Sequence, residues 1–321
     1  MRRRTAPIFI RSMHGNRSIE RLRPRRNALD PEIPYHFLHE AEPDARGVLQ
    51  KVNTIFLTSK ECGFTCLMCD LWKNTLTGPT PLGAIPMQID HALGLLPAAD
   101  VIKLYNNGNF FDVKAVPLAD HPGIIDRVGS YGRVIVENHP KLCGEQCLAF
   151  GERIDAVLEI AMGLETIHPD VLPRLNKQLT PDDFRQAATF LRNNHIDVRA
   201  FILLNPPYLT DPRENIDWVI RTVEFAFDSG VQCCSIIATR SGNGIMETLQ
   251  RQGLYAAPSL DSLEEVFETA LQLQRGRVFV DTWEIGFLSG CSRCFVARKE
   301  RLEAMNCNQR VYPRVQCDCH D

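Results

Sequence analysis

The chain has 321 residues, 44% of them hydrophobic and 23% charged, with a formal net charge of −3. This suits one large α/β domain with appendages. No apolar run of about 18 residues occurs, so no membrane-spanning helix is expected. No apolar signal-peptide core stands at the N-terminus either, so the 12 cysteines read as thiols kept in a reducing cytoplasm, not as a secreted disulfide framework.

The charge is uneven. Residues 1–26 carry nine Arg against one acid, Glu20, which leaves the remainder near about −11. A basic arm on an acidic body reads as a nucleic-acid-binding segment, as a solvated arm without fixed structure, or as an organelle leader. Pro31, Pro34 and Pro43 extend it as a lead-in, so residues 1–50 are set apart from the domain that follows. From Val52 onward, apolar runs alternate with amphipathic stretches. Strands are predicted over 52–58, 100–105, 133–137, 155–162, 198–204, 232–238 and 277–282. Helices are predicted between them, among them Asp182–Asn193, Pro212–Ser229 and Leu260–Arg275. Thr180-Pro181-Asp182-Asp183 offers an N-cap, a first-turn Pro and first-turn acids. Strands alternating with helices predict a parallel sheet, and about seven units predict an open or closed β/α barrel over 51–285. Active residues of such a fold sit at the C-terminal ends of strands.

The loop after the first of these strands holds Cys62, Cys66 and Cys69 in the spacing C-x3-C-x2-C. Three thiolates are one short of the four that normally satisfy a four-iron cluster, and the open iron position is free for a ligand. Structural zinc or three buried thiols are the alternatives, but no fourth Cys or His lies close by. This spacing resembles the radical SAM superfamily, whose three cysteines hold a [4Fe-4S] cluster with S-adenosylmethionine on the fourth iron. The resemblance implies a partial (β/α)6-type barrel, here followed by a short Cys-rich extension over 286–321.

Other strand ends carry the resemblance further. Tyr105-Asn106-Asn107-Gly108-Asn109-Phe110 stands where these enzymes carry a Gly-rich turn that holds the methionine amino group, which implicates Gly108 and Asn109. Gly108 also suits a positive-φ turn. Glu137 in Val136-Glu137-Asn138-His139-Pro140 matches a Glu of the elongator catalytic subunit, with His139 in place of its Arg. Glu137 reads as a SAM or substrate ligand, or as a charged strand cap. Met162-Gly163-Leu164-Glu165, with Leu175-Asn176-Lys177 behind it, resembles methylthiotransferases and the elongator family. Glu165 falls where a carboxylate accepts from the ribose hydroxyls. Arg199 reads as a residue at the bottom of the barrel or as a partner of the SAM carboxylate. Ile237 suits the adenine face, and so does Met68, a soft substitute at a position that is usually aromatic. The Gly-rich turn 241–244 suits close backbone approach to a phosphate or a substrate.

The run Cys69-Asp70-Leu71-Trp72-Lys73-Asn74-Thr75, together with Tyr105–Asp112 and Met162–Thr166, resembles the radical SAM subunit of archaeosine synthase over roughly residues 50–315. That family acts on a lysine-bearing 7-deazaguanine in transfer RNA. The resemblance therefore implies SAM cleavage to a 5′-deoxyadenosyl radical, a reductant of flavodoxin or ferredoxin type, a tRNA substrate and a partner enzyme that builds the lysine adduct. Beyond the barrel, Cys291, Cys294, Cys317 and Cys319 make a four-ligand set for zinc or an auxiliary cluster. Cys143 and Cys147 read as loop thiols, and at least one of Cys233 and Cys234 as core. The competing readings are a radical SAM enzyme on a small metabolite or another nucleoside, and a zinc-stabilised nucleic-acid-binding protein without catalysis.

Overall fold

The structure is a computed structural model that describes residues 15–320, and it is built on one eight-stranded sheet curled into a partial barrel. Chain order is sheet order. β1 (His36–Pro43) runs antiparallel to β2 (Leu49–Phe56). Parallel to β2 follow β3 (Val101–Tyr105), β4 (Arg133–Glu137), β5 (Val157–Glu165), β6 (Asp197–Leu204), β7 (Cys233–Ala238) and β8 (Arg277–Val280). Ahead of the sheet lies α1 (Asn16–Leu22). Crossovers carry α2 (Ala84–Leu93), α3 (His121–Val128), α4 (Glu145–Gly151), α5 (Pro181–Asn193), α6 (Pro212–Asp228), α7 (Ile245–Arg251) and α8 (Leu260–Gln272). The last helix is α9 (Ser292–Asn308). No helix among the described residues is long and apolar enough to cross a membrane.

The seven parallel strands lie where the apolar runs predict them. α5 starts at the predicted cap: Thr180 Oγ1 accepts from Asp183 N at 3.1 Å, and Asp183 Oδ2 accepts from Thr180 N at 2.9 Å. β1 differs from expectation, because it replaces part of the extended lead-in. It turns into β2 over Asp44, whose Oδ1 accepts from Arg46 N and Val48 N at 2.8 and 2.9 Å, with Gly47 at φ +79°.

Alternation sorts the strand side chains. Ile55, Leu104, Val136, Ile160, Ile202, Ile236 and Val278 face outward and are fully buried beneath the helices. Each such side chain contributes about 1.5–3 kcal/mol. The inward face holds a floor of buried charge. Lys103 pairs with Glu40 (2.9 Å) and Glu42, and Arg199 with Glu42 (2.9 Å) and Glu159 (2.7 Å). Arg133 pairs with Glu159 (2.8 Å) and Asp197 (2.7 Å), and Arg277 with Glu159 (3.4 Å). Arg199 thus belongs to the bottom of the barrel. Interleaved with these charges on the inward face are the buried apolar residues Val52, Val101, Ile135 and Ala161, with Tyr105 and Phe201 packed against them toward the C-terminal end.

The barrel is open between β8 and β1, and α9 covers the free edge of β8. Asn306 and Gln309 use their side-chain amides to bond both N–H and C=O of Val280 and Val278, at 2.8–3.0 Å. The edge is thereby closed to pairing with another chain.

Candidate cluster and cofactor site

The cysteine loop leaves β2 at the C-terminal end of the sheet and is held from several sides. Leu67 N donates to Leu175 O at 2.8 Å. Asn243 Nδ2 donates to the carbonyls of Leu67 and Cys69 at 2.9 and 3.1 Å, and Asn176 Nδ2 to Thr65 O at 2.7 Å. Cys62 Sγ accepts from Phe64 N (3.4 Å) and Asn109 Nδ2 (3.1 Å), so it already sits among donors suited to a thiolate. Burial pushes the Cys66 thiol up to about 12 and raises Cys69 further. Deprotonated, these sulfurs would need positive charge beside them, which iron supplies.

Spacing and ligand number separate the two cysteine sets. A single tetrahedral ion with thiolates at about 2.3 Å draws its sulfurs to within about 4 Å of one another. Cys291, Cys294, Cys317 and Cys319 bring all four Sγ atoms within 4.8 Å of one another, close to that spacing, so the quartet could hold one ion. Cys62, Cys66 and Cys69 supply three sulfurs from one loop, the ligand number that leaves a four-iron cluster one open position.

The loops of β3, β4 and β5 close around the triad. Glu137 Oε1 accepts from Asn106 N (2.7 Å) and Gly108 N (3.2 Å), so its carboxylate shapes the β3 loop. Burial pushes Glu137 up to about 7. A Cβ on Gly108 would lie in contact distance, 3.4 Å from Cys62 Cβ, so the turn passes close to the cysteine loop; its positive φ falls on Asn107, at +54°, and not on Gly108 as expected. Asn109 bridges the layers, donating to Cys62 while its Oδ1 accepts from His139 N at 2.7 Å. The His139 ring stacks on Phe64 with centroids 3.7 Å apart. Burial, then Lys177, pull His139 down to about 3, so it is neutral. Its Nδ1 accepts from Lys141 N, which leaves Nε2–H to donate to Lys177 O at 3.1 Å.

Glu165 ends β5 at φ +66°, after a bulge at Gly163, and its carboxylate meets Lys177 Nζ at 2.6 Å. Both side chains are buried. Burial lowers the Lys177 ammonium, but Glu165 and Cys66 outweigh it, so the pKa is raised and the charge is kept beside the triad. The sequence resemblance includes Lys177 in Leu175-Asn176-Lys177 but gives it no role of its own; the pairing with Glu165 is what the structure adds. A Cβ on Gly163 would overlap both Glu165 Oε1 and Lys177 Nζ. Gly163→Ala is therefore expected to push this buried pair apart and to destabilise the fold by about 3 kcal/mol, read as a lower urea midpoint.

Met68 packs against the apolar clusters around Tyr208, between α7 and residues 171–175. Ile237 faces the barrel interior near the top of β7 and is half-buried. Cys233 is buried beside Arg199, Cys234 lies in the outer core, and Cys143 Sγ lies 3.5 Å from Met162 Sδ. All 12 cysteines are free.

The basic arm is partly docked. Ile19 packs on Leu67, Ile245, Met246 and Leu249. Arg23 pairs with Glu61 at 2.6 Å, and Arg26 pairs with Glu61 and donates to Trp72 O at 2.7 Å. Both guanidiniums lie over the Trp72 ring, 4.8 and 5.7 Å from its centroid. The Leu22 carbonyl rests on Gly244, at φ +94°, where any Cβ would overlap it. Residues 15–27 thus strap the cysteine loop from outside. Arg17, Arg21 and Arg25 remain exposed, and the arginines of residues 1–14 lie outside the described residues.

At the other end of the chain, Cys291 caps α9 and Cys294 stands in its first turn. The amides of Cys294 and Arg293 pull the Cys291 thiol down to about 6. The tail is carried back to them by Arg301, which donates to the carbonyls of Tyr312 (2.6 Å) and Pro313 (2.9 Å). Cys291 Sγ then lies 3.9 Å from Cys317 Sγ, and Cys294 Sγ 3.5 Å from Cys319 Sγ.

No protein-family model matches the chain. Streptococcus suis SuiB bound to precursor peptide SuiA superposes with a TM-score of 0.54 at 12% identity, over 78% of this chain and 51% of that one. The chain thus spans about half the length of that structure. At that identity the likeness is one of fold, a mixed α/β half-barrel sheet. In sequence, the chain is similar to archaeosine synthase subunit beta of Methanosarcina acetivorans, 25% identical over 243 residues, or 70% of this chain and 68% of that one. It is also 24% identical, over 289 residues covering 83% of this chain and 79% of the relative, to an uncharacterized protein of Methanocaldococcus jannaschii.

Proposed function

We propose that this protein is a radical SAM enzyme acting on a modified tRNA nucleoside, as a carbon–nitrogen lyase of the archaeosine-synthase type. The observation that carries the reading is the triad Cys62, Cys66 and Cys69 in the loop after β2, walled by the loops of β3, β4 and β5, with Asn109 Nδ2 donating to Cys62 Sγ at 3.1 Å. A [4Fe-4S] cluster held there would supply one-electron cleavage of SAM to methionine and a 5′-deoxyadenosyl radical. The chain's own residues bind and orient. Gly108 and Asn109 shape the turn over Cys62, Glu137 fixes that turn, and the Glu165–Lys177 pair offers the carboxylate for ribose hydroxyls. Ile237 and Met68 are the apolar contacts for adenine. Arg17, Arg21 and Arg25, exposed on the docked arm, suit RNA phosphates. The C-terminal quartet is a structural zinc site. Free thiols throughout suit a cytoplasmic setting. The archaeosine-synthase reading itself calls for a flavodoxin- or ferredoxin-type reductant and a partner that builds the lysine adduct.

The test is 5′-deoxyadenosine formation from SAM and dithionite by anaerobically reconstituted protein. A several-fold stimulation is expected from tRNA carrying the lysine-bearing 7-deazaguanine and none from unmodified tRNA. Equal turnover with both would remove the tRNA substrate and leave the small-metabolite reading.

A further inference from the structure

The arm ahead of the sheet is joined to the cysteine loop at both of the loop's ends. At the start of the arm, Asn16 Oδ1 accepts from Asn176 Nδ2 at 2.8 Å, and the same amide donates to Thr65 O at 2.7 Å. One turn on, Ile19 enters the apolar cluster of Leu67, Ile245, Met246, Leu249 and Tyr255. Arg26 is the far anchor. Its Nη1 donates to Trp72 O at 2.7 Å and to Thr75 Oγ1 at 2.5 Å, and its Nη2 to Glu61, which also pairs with Arg23. Asn27 finishes the seam: its N–H donates to Lys73 O at 3.0 Å and its Nδ2 to Asn74 Oδ1 at 2.6 Å. Cys62, Cys66 and Cys69 all lie between Glu61 and Thr75, the outermost of these contacts.

This attachment is thin. Of residues 15–29, Ile19 alone is buried. The apolar cluster it joins is separate from the main core between sheet and helices. A segment held by one buried side chain and a set of half-exposed polar bonds opens at a small part of the free energy of global unfolding. The cysteine loop, for its part, has little regular structure to keep its shape. Residues 61–70 contain no helix or strand, and one short 3-10 turn, Leu71–Asn74, follows them. The shape of the loop therefore depends on what is laid against it.

We infer that residues 16–27 are a latch that keeps the cysteine loop in its ligand-holding shape, and that opening of the latch is the step that lets the cluster go. Metal affinity and loop conformation are linked, because ligands that must first be gathered take their ordering cost from the binding free energy. A loop held in place from outside keeps its three sulfurs gathered. The arm reaches the loop through backbone carbonyls and through Glu61, Leu67, Trp72, Asn74 and Thr75, and not through sulfur, so Ile19 and Arg26 are positioning residues. The link to a cluster rests on the reading under Proposed function. The latching itself does not, and it is measured on the chain without iron.

The experiment is amide hydrogen exchange on the full iron-free chain, comparing wild type with Ile19→Ala and Arg26→Ala. Ile19 touches the loop at Leu67, and Arg26 touches it at Glu61, Trp72 and Thr75. A latch that opens as one unit predicts exchange at least ten-fold faster across the whole of residues 61–76 in either variant. Ile19→Val should stay close to wild type. Faster exchange confined to the neighbours of the altered residue would mean two separate contacts, and would overturn the latch. A lower urea midpoint with faster exchange throughout the sheet would make Ile19 part of the global fold, and would overturn it too. Anaerobically reconstituted samples then give the rate at which a ferrous chelator withdraws iron. Both alanine variants should lose iron at least ten-fold faster than wild type at an unchanged urea midpoint. Equal loss despite faster exchange would refute the role of the latch in holding the cluster. A wild type that takes up no iron would fail the cluster reading, and exchange would still decide the latch.

Discussion

Cys66→Ala is expected to reduce 5′-deoxyadenosine formation to background and to abolish the brown absorbance near 400 nm. With Cys66 gone, two thiolates remain for a cluster that ordinarily takes four ligands and here has three. The wild type should carry about four iron and four sulfide per chain. The variant should still fold, because the loop backbone is held by Asn243, Asn176 and the Leu67–Leu175 bond, none of which involves the Cys66 side chain. Cys294→Ser is the matched control. It should lose zinc and keep both iron and deoxyadenosine formation. If Cys66→Ala retained iron and turnover, the proposed cluster site would be wrong. If iron were also lost in Cys294→Ser, the quartet would be an auxiliary cluster instead of a zinc site.

Glu159→Gln is expected to destabilise the fold by about 3–5 kcal/mol, read as a lower urea midpoint at unchanged slope. The carboxylate is fully buried and serves three cations: Arg199 at 2.7 Å, Arg133 at 2.8 Å and Arg277 at 3.4 Å. Removing its charge leaves Arg199, a buried guanidinium, with Glu42 alone and takes from Arg277 the carboxylate it meets at 3.4 Å. Replacement by an uncharged isostere should therefore cost far more than loss of a surface pair, which is worth about 0–1 kcal/mol. The pH dependence has a definite sign. Burial raises the Glu159 carboxyl, but Arg199, Arg277 and Arg133 outweigh burial and hold it below the ordinary value of 4.5; Glu42 is likewise depressed by Arg199 and Lys103. Groups depressed in the fold contribute their full stabilisation above the unfolded carboxylate range and lose it as pH falls through and below that range. Wild-type stability should thus drop steeply under about pH 4, and Glu159→Gln should flatten that drop. Equal acid sensitivity in both proteins would mean that the floor is not the acid-labile element.

How far the sequence could be read depended on where each partner lies along the chain. β2 through β8 were legible because their outward residues, such as Ile55, Ile160 and Ile236, form apolar runs with turn signals at both ends. β1 was not legible. Its inward residues are Glu40 and Glu42, whose partners Lys103 and Arg199 arrive from β3 and β6, so the strand shows no apolar face to announce itself. The cysteine triad was legible because its ligands are contiguous. The strap was not, because Arg23 and Arg26 find Glu61 and Trp72 some 35 to 50 residues on, and a run of arginines looks the same docked or solvated. The role of Lys177 was hidden for the same reason, since it depends on Glu165, twelve residues earlier, and on the bare Cα of Gly163.

The sealed floor also governs traffic. Lys103, Glu159 and Arg199 are buried beneath the aromatic layer, so the barrel is a blind well and not a tube. Under the proposed function, reactants and products therefore come and go on the cysteine-loop side, past the mouth or the seam between β8 and β1, and none leaves through the far end.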